Sequence, residues 1–201
     1  MQREMKWAEG KPSEYLLLTE AAATAVARGQ VHKAEERLQR SVQDTDRLGF
    51  KKTTADTKAF FALEEAAIGN AGKARELANE SAALARARSN LVSASEALAL
   101  PGDSTHPQLI LEELHKRFPS DTLLKNVGTP TVVALVAIDR KSPQQGITAL
   151  QSATPYEMGN TPAMLPVYVR GLAYLEAKRG AEAAAEFQKN YRSPRNRSGR
   201  G

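Results

Sequence analysis

The sequence predicts an all-α protein built from short helices that are joined by tight turns. Its apolar residues recur every three or four positions, as in Val31, Ala34, Leu38 and Val42, which is the period of a helix with one buried face. Alanine, leucine, glutamate, lysine and arginine are abundant, and all of them favour helices. Glycine and proline interrupt this pattern about every 15 to 20 residues, so each helix should be short.

The composition excludes several classes of protein. The chain has 201 residues, enough for one domain or a short array of repeats. It contains no cysteine, which excludes disulfides, thiol catalysis and zinc–thiolate sites. The longest apolar run, Val132 to Ile138, is too short to insert into a membrane. The first ten residues do not form a recognisable signal peptide, which favours a cytoplasmic location unless a membrane span precedes this sequence.

A repeated helix pair is clearest near the C-terminal end of the sequence. Gly171, Tyr174, Ala183 and Phe187 alternate small and large side chains, so that two antiparallel helices approach closely and the large residues fill the space beside them. A small residue or a proline occurs in the second helix of each pair, at Ala34, Ala74, Pro107, Gly146 and Ala183. These five markers predict about five helix pairs stacked in a solenoid.

Five segments of the sequence resemble those of a known family: Trp7–Pro12, Gly69–Ala71, Lys116–Pro119, Pro155–Glu157 and Val169–Leu175. They resemble the tetratricopeptide region at the C-terminal end of large bacterial proteins. In those proteins a serine/threonine kinase domain or a winged-helix DNA-binding domain precedes the repeats. The resemblance implies a right-handed helix-turn-helix solenoid of about five tetratricopeptide-like pairs.

The resemblance divides the sequence into three parts. Residues 1–10 are an N-terminal lead-in, residues 11–189 are the tetratricopeptide-like array, and residues 190–201 are a disordered basic tail. The family's repeats continue beyond Phe187 and follow a head domain, so we expect this chain to be a fragment. An uncapped last repeat would also allow self-association through that end.

The net positive charge is concentrated at one end of the chain. The formal net charge is +5, and residues 190–201 hold four arginines and no acid. The helical body is therefore nearly neutral, and it lacks a basic helix with interleaved aromatic residues. This pattern argues against specific nucleic-acid binding. The tail alone would bind polyanions weakly.

Candidate catalytic and metal-binding groups are sparse. His32 and Glu36 lie one helical turn apart but lack a third ligand, and His106 and His115 fall on different faces of one helix. The sequence has no kinase motif and no nucleophile elbow. We therefore expect a protein that is not an enzyme and that needs no cofactor or metal.

A glycine-rich segment, Gly69–Lys73, superficially resembles a phosphate-binding loop. It lacks the following serine or threonine, the usual spacing and a preceding strand. We interpret it as a turn between helices, with Asn70 as the N-cap of the next helix.

The concave face of the predicted array is the expected functional surface, because the first helices of the pairs line a groove that accepts a peptide or a partner helix. Phe60 and Tyr168 are the expected anchors, since aromatic residues dominate binding hot spots. Packing between helices is the competing interpretation for every member of the predicted set. That set is Thr19, Ala23, Val26, Phe60, Leu63, Leu135, Tyr168 and Leu172.

Two functions are compatible with these observations. The first is a noncatalytic scaffold that binds a peptide or helix of a partner protein in the groove. The second, implied by the resemblance, is a regulatory or sensory repeat domain of a bacterial kinase or transcription regulator whose head domain is missing. The gene upstream would distinguish them.

Overall fold

The computed structural model describes residues 2–157 and 164–192, and all regular elements in these ranges are helical, as predicted. The α-helices are α1 (Gln2–Ala8), α2 (Glu14–Ala27), α3 (Val31–Arg47), α4 (Lys51–Ala67), α5 (Ala71–Leu84), α6 (Arg88–Ala99), α7 (His106–Arg117), α8 (Thr129–Asp139), α9 (Pro143–Ala149), α10 (Met164–Glu176) and α11 (Gly180–Arg192). A π-helical turn (Leu124–Gly128) precedes α8, and a 3-10 helix (Leu150–Tyr156) follows α9. Among these helices, none combines the length and the apolar character needed to cross a membrane.

The chain divides into two compact units, Met1–Pro101 and Gly102–Gly201. In the first unit α2 pairs with α3 and α4 pairs with α5, while α6 lies against both α4 and α5. Alanines fill the contacts between these helices, and their small side chains let the backbones approach closely. The fully buried ones are Ala21, Ala22, Ala55, Ala59, Ala62, Ala74, Ala78, Ala94 and Ala97.

The same hydrogen bond holds the first two helix pairs together. Ser41 Oγ of α3 donates to the carbonyl of Tyr15 in α2 at 3.1 Å. Forty residues further along, Ser81 Oγ of α5 donates to the carbonyl of Ala55 in α4 at 2.7 Å. Both serines are fully buried. The two pairs are therefore equivalent at the interval of 40 residues that separates Ala34 from Ala74.

Three helices of the first unit end in one kind of turn. Gly29, Gly49 and Gly69 have φ values of 69°, 73° and 87°, which glycine adopts without strain. The residue after each glycine donates its N–H to a carbonyl five positions earlier, which is the Schellman motif. Asn70 follows the third glycine, and its side chain accepts a hydrogen bond from the N–H of Lys73 at 3.4 Å. The prediction that Asn70 caps α5 is confirmed.

A buried asparagine joins α5 to α6. The amide nitrogen of Asn90 donates to the carbonyl and the hydroxyl of Ser81, both at 3.1 Å, and to the carbonyl of Ala85 at 2.8 Å. Its side-chain oxygen accepts from the N–H of Ala87 at 3.0 Å. Each polar atom of the Asn90 side chain is therefore satisfied inside the unit, as burial requires.

The third predicted helix pair is divided between the two units. Its first helix would be α6 and its second α7, but the boundary between the units falls at Pro101. In the first unit α6 instead packs on α4 and α5. The turn at Pro101 and Gly102 resembles the others in sequence, so the sequence offered no sign of this division.

The second unit contains two closely packed helix pairs, α8 with α9 and α10 with α11. A Cβ atom at Gly146 in α9 would lie 3.2 Å from the carbonyl oxygen of Ala134 in α8. A Cβ atom at Gly171 in α10 would overlap the ring of Phe187 in α11. The small residues therefore act as predicted, since they allow close contact between paired helices.

The helix α11 ends at Arg192, so residues 190–192 are helical although the sequence predicted a disordered tail from residue 190. The sequence contains no glycine or proline between Gly180 and Pro194 that would stop this helix, and the boundary at residue 190 stays a prediction. Residues 193–201 of the predicted tail lie outside the described residues. At the other end, α1 occupies most of the predicted lead-in.

Gly171→Ala is expected to destabilise the protein by about 1–3 kcal/mol, because the added methyl group displaces the Phe187 ring. The matched control is Gly72→Ala in α5, where a Cβ atom meets nothing within 4 Å. That substitution should stabilise the protein by up to about 1 kcal/mol, the difference in helix propensity. Urea denaturation of both variants checks the pair, and equal effects would contradict the close contact between α10 and α11.

Candidate functional site

The first helices of the pairs, α2 and α4, and the helix α6 beside them present one surface of the first unit. The helix α4 lies between α2 and α6, and α4 and α6 run in the same direction because each is antiparallel to α5. On each of the three helices the least buried residues recur every three or four positions and form one outward stripe. We call the surface made by these stripes the first-helix face. Its residues are Leu16, Glu20 and Ala23 of α2, Asp56, Phe60, Leu63 and Glu64 of α4, and Ser89, Val92, Glu96 and Leu100 of α6.

A polar cluster sets the register between α4 and α6. Ser89 Oγ donates to Asp56 Oδ1 at 2.7 Å, and Lys52 Nζ lies 2.6 Å from Asp56 Oδ2. The same Nζ lies 3.3 Å from Ser89 Oγ. Two helical turns beyond this cluster, Leu63 on α4 and Glu96 on α6 therefore stand at the same level of the first-helix face.

Glu96 is a buried carboxyl group on this face. The residue is only 8% exposed, and it makes no hydrogen bond or ion pair with the described residues. Burial raises the pKa of Glu96 to about 8, because the charged form loses its hydration and gains no cation. At neutral pH this carboxyl group is therefore largely protonated.

Two further acids lie on the first-helix face. Burial also raises the pKa of Glu64, which is half-buried on α4 and has no hydrogen bond or ion pair within the described residues. Glu20 is exposed on α2, a helix whose sequence contains no lysine or arginine. The outward stripes of α2 and α4 therefore carry acids and no lysine or arginine, and Lys52 beside them is paired with Asp56.

Five of the predicted site residues lie in the first unit. The Thr19 hydroxyl lies 3.0 Å from Ser41 Oγ and donates to the carbonyl of Tyr15, so its polar atom is directed toward α3. Ala23 and Val26 are half-buried on α2. Phe60 and Leu63 are half-buried on the outward stripe of α4, and the Phe60 ring meets the buried Phe61 ring edge-on at 5.4 Å. Phe60 and Leu63 therefore retain apolar surface that a partner could cover.

The other three predicted site residues lie in the second unit. Leu135 is 4% exposed and packs inside that unit, so its burial supports the packing interpretation. Tyr168 is half-buried, with its ring centre 5.9 Å from that of Phe187. Leu172 is half-buried one turn further along α10. A role in binding stays a prediction for all three.

Sequence reasoning missed a buried network of ion pairs in the second unit. Arg170 of α10 donates to Glu157, beside the 3-10 helix, and to Glu186 of α11 at 2.7 Å. All three residues are less than 8% exposed. Lys189 also donates to Glu186 at 2.8 Å. Because every charge has a partner within the unit, the network holds three segments together.

The pKa directions in this network follow from its pairing. Burial alone would lower the pKa of Arg170, but the hydrogen bonds and charges of Glu157 and Glu186 raise it. Burial alone would raise the pKa of Glu186, but hydrogen bonds from Arg170 and Lys189 hold it below its ordinary value. Arg170 is the one charged residue between Met164 and Leu175, a segment that is otherwise mostly apolar. This position is the sequence signal that could have predicted its burial.

Each histidine contacts one nearby polar side chain. His32 lies 3.5 Å from Glu35, and His106 lies 2.7 Å from Asp103. Nε2 of His115 is 3.0 Å from Thr129 Oγ1. Within residues 2–157 and 164–192 no three histidine, aspartate or glutamate side chains form a group that could hold a metal ion.

An open hollow of about 390 Å³ lies near the start of the chain, lined by Arg3, Glu4, Trp7 and Leu17. Three of these four residues are exposed, and Lys11 Nζ sits 3.4 Å from the centre of the Trp7 ring. The hollow is a feature of the surface, without the enclosed apolar walls of a small-molecule site.

Comparisons of the chain with protein families, with curated proteins and with solved structures find no match in any of the three. The fold and the geometry therefore identify an all-helical protein of eleven packed α-helices within the described residues, and no family is identified.

Proposed function

We propose that this protein is a noncatalytic interaction module whose first-helix face binds a peptide or a short helix of a partner protein. The observation that carries this proposal is the pair of half-buried apolar side chains, Phe60 and Leu63, on the central helix of the face. Completing the burial of such a side chain contributes up to about 1.5–3 kcal/mol. A few anchors of this kind supply most of the binding energy at protein interfaces.

The helix arrangement that we propose is a right-handed solenoid of tetratricopeptide type. The equivalent serine bonds of the first two pairs and the side-by-side packing of α2, α4 and α6 support it. In such an array the first helices share one surface, which is where a partner segment binds.

Phe60→Ala should weaken binding of partner peptides about tenfold, because the central anchor is lost. The ligands are peptides selected from a displayed random library against the full chain, and calorimetry gives their Kd. The matched control is Leu109→Ala, which truncates a side chain that is 57% exposed on α7 and should leave Kd unchanged. The proposal fails if the library yields no binders or if Phe60→Ala binds them as well as the original chain.

A further inference from the structure

We propose that the first-helix face recognises a cationic, amphipathic peptide, with a lysine or arginine side chain paired to Glu96 and apolar side chains packed on Phe60 and Leu63. This inference rests on the proposed function of the same face and names the chemistry of its partner.

The first observation behind this inference is the position of Glu96 on α6. Ser89 is exposed and Val92 and Leu100 are half-buried on the same stripe, whereas Leu91 and residues 94–99 are buried. Glu96 falls between Val92 and Leu100, so its side chain belongs to the side of α6 that faces away from the core. The carboxyl group is nevertheless more than nine-tenths buried.

The second observation is that Glu96 has no hydrogen-bond or ion-pair partner among the described residues. Buried polar groups are nearly always hydrogen-bonded, because an unsatisfied one costs free energy. Other buried polar side chains of the first unit obey this rule, as Asn90 and Ser81 do. Glu96 has no such bond among the described residues. A cation supplied by a ligand would favour the ionised form of Glu96 and satisfy it with a charge-assisted hydrogen bond.

The third observation is the negative charge of the first-helix face. Glu20 and Glu64 stand on the outward stripes of α2 and α4, and the stripe residues of these two helices include no lysine or arginine. The neighbouring Lys52 is neutralised by Asp56. A basic segment would therefore be attracted to the face, and an acidic one would be repelled. Phe60 and Leu63 require that the segment also carry apolar side chains.

The test is a selection of random peptides displayed on phage against the full chain and against Glu96→Gln. We expect peptides selected by the original chain to share one lysine or arginine at a fixed distance from apolar positions. Glu96→Gln keeps the shape of the side chain but cannot form the ion pair. It should select the same apolar pattern without the basic residue.

A double-mutant cycle measures the pairing itself. Replacing the basic residue of a selected peptide with norleucine should weaken its binding to the original chain about tenfold, and to Glu96→Gln less than about twofold. Glu36→Gln, an exposed acid of α3 outside the face, is the matched control and should behave like the original chain. Thermal melting verifies that both variants are folded.

Each remaining outcome overturns the inference in a distinguishable way. Selected peptides that keep the apolar pattern without a basic residue would remove the pairing and leave the proposed function standing. Basic peptides that bind Glu96→Gln equally well would place the pairing elsewhere. A synthetic peptide of residues 193–201 that displaces the selected peptides would assign the face to the basic end of the chain itself. A library that yields no binders would remove the proposed function as well.

Discussion

Arg170→Met should destabilise the second unit by about 3–5 kcal/mol, the usual cost of leaving buried charges without their partner. Methionine fills a similar volume, so the loss comes mainly from Glu157 and Glu186, both 7% exposed, which would remain buried near each other without the guanidinium group. Urea denaturation followed by far-UV circular dichroism measures the change. The matched control is Arg179→Met, whose exposed ion pair with Glu182 should contribute little to stability, so this variant should unfold at nearly the same urea concentration as the original chain.

A second comparison separates lost charge pairing from lost packing. Replacing Arg170, Glu157 and Glu186 together with apolar residues of similar volume should restore most of the stability, since no buried charge is left unpaired. If Arg170→Met lies within about 1 kcal/mol of the original chain, the network does not hold the unit together.

Acid should weaken the same network. The pKa of Glu186 is lower in the folded chain than the ordinary value of 4.5, because Arg170 and Lys189 outweigh its burial. Its contribution to stability is therefore present above that value and is lost as the pH falls through the lower folded pKa. Arg170→Met should show a smaller loss of stability in this acidic range than the original chain.

Glu96→Gln should stabilise the first unit by about 2–3 kcal/mol near pH 7. In the folded chain burial raises the pKa of Glu96 to about 8, whereas the ordinary value is 4.5. Between these two values the folded state holds a proton that the unfolded state has released. The free energy of unfolding therefore decreases as the pH rises through this window, by at most about 1.4 kcal/mol per pH unit. Glutamine cannot ionise and removes this dependence.

Urea denaturation at pH 4.5 and pH 7 checks this prediction. The two chains should be nearly equal in stability at the lower pH, and Glu96→Gln should be the more stable at the higher pH. The exposed control Glu36→Gln should change stability by less than about 0.5 kcal/mol at either pH. A difference between the original chain and Glu96→Gln that does not change with pH would show that the pKa of Glu96 is not raised in the folded state.

The helices were predictable because their signals are local. The apolar period identified them, and Gly29, Gly49 and Gly69 end α2, α3 and α4 through backbone angles that favour glycine. The packing of α6 was not predictable from these signals. It depends on contacts such as Asn90 with Ser81, between residues whose pairing requires the folded unit.

The candidate site was predictable only in its apolar part. Phe60 and Leu63 followed from the position of the first helices in a repeat. Glu96 and Arg170 looked like ordinary charged residues of helices, because burial of a charge is decided by side chains that distant segments bring against it. In both cases the missed residues are those whose environment differs most from water.

Because the first two helix pairs are equivalent, the chain could gain a further pair by duplication. Each pair has the same serine-to-carbonyl bond between its helices and the same glycine turn joining them. A copied segment of 40 residues, inserted between α3 and α4, would meet neighbours that already fit it. Duplication of such a segment would lengthen the acidic, apolar surface by one stripe at a time, so that evolution could match its length to that of a partner without designing a new interface.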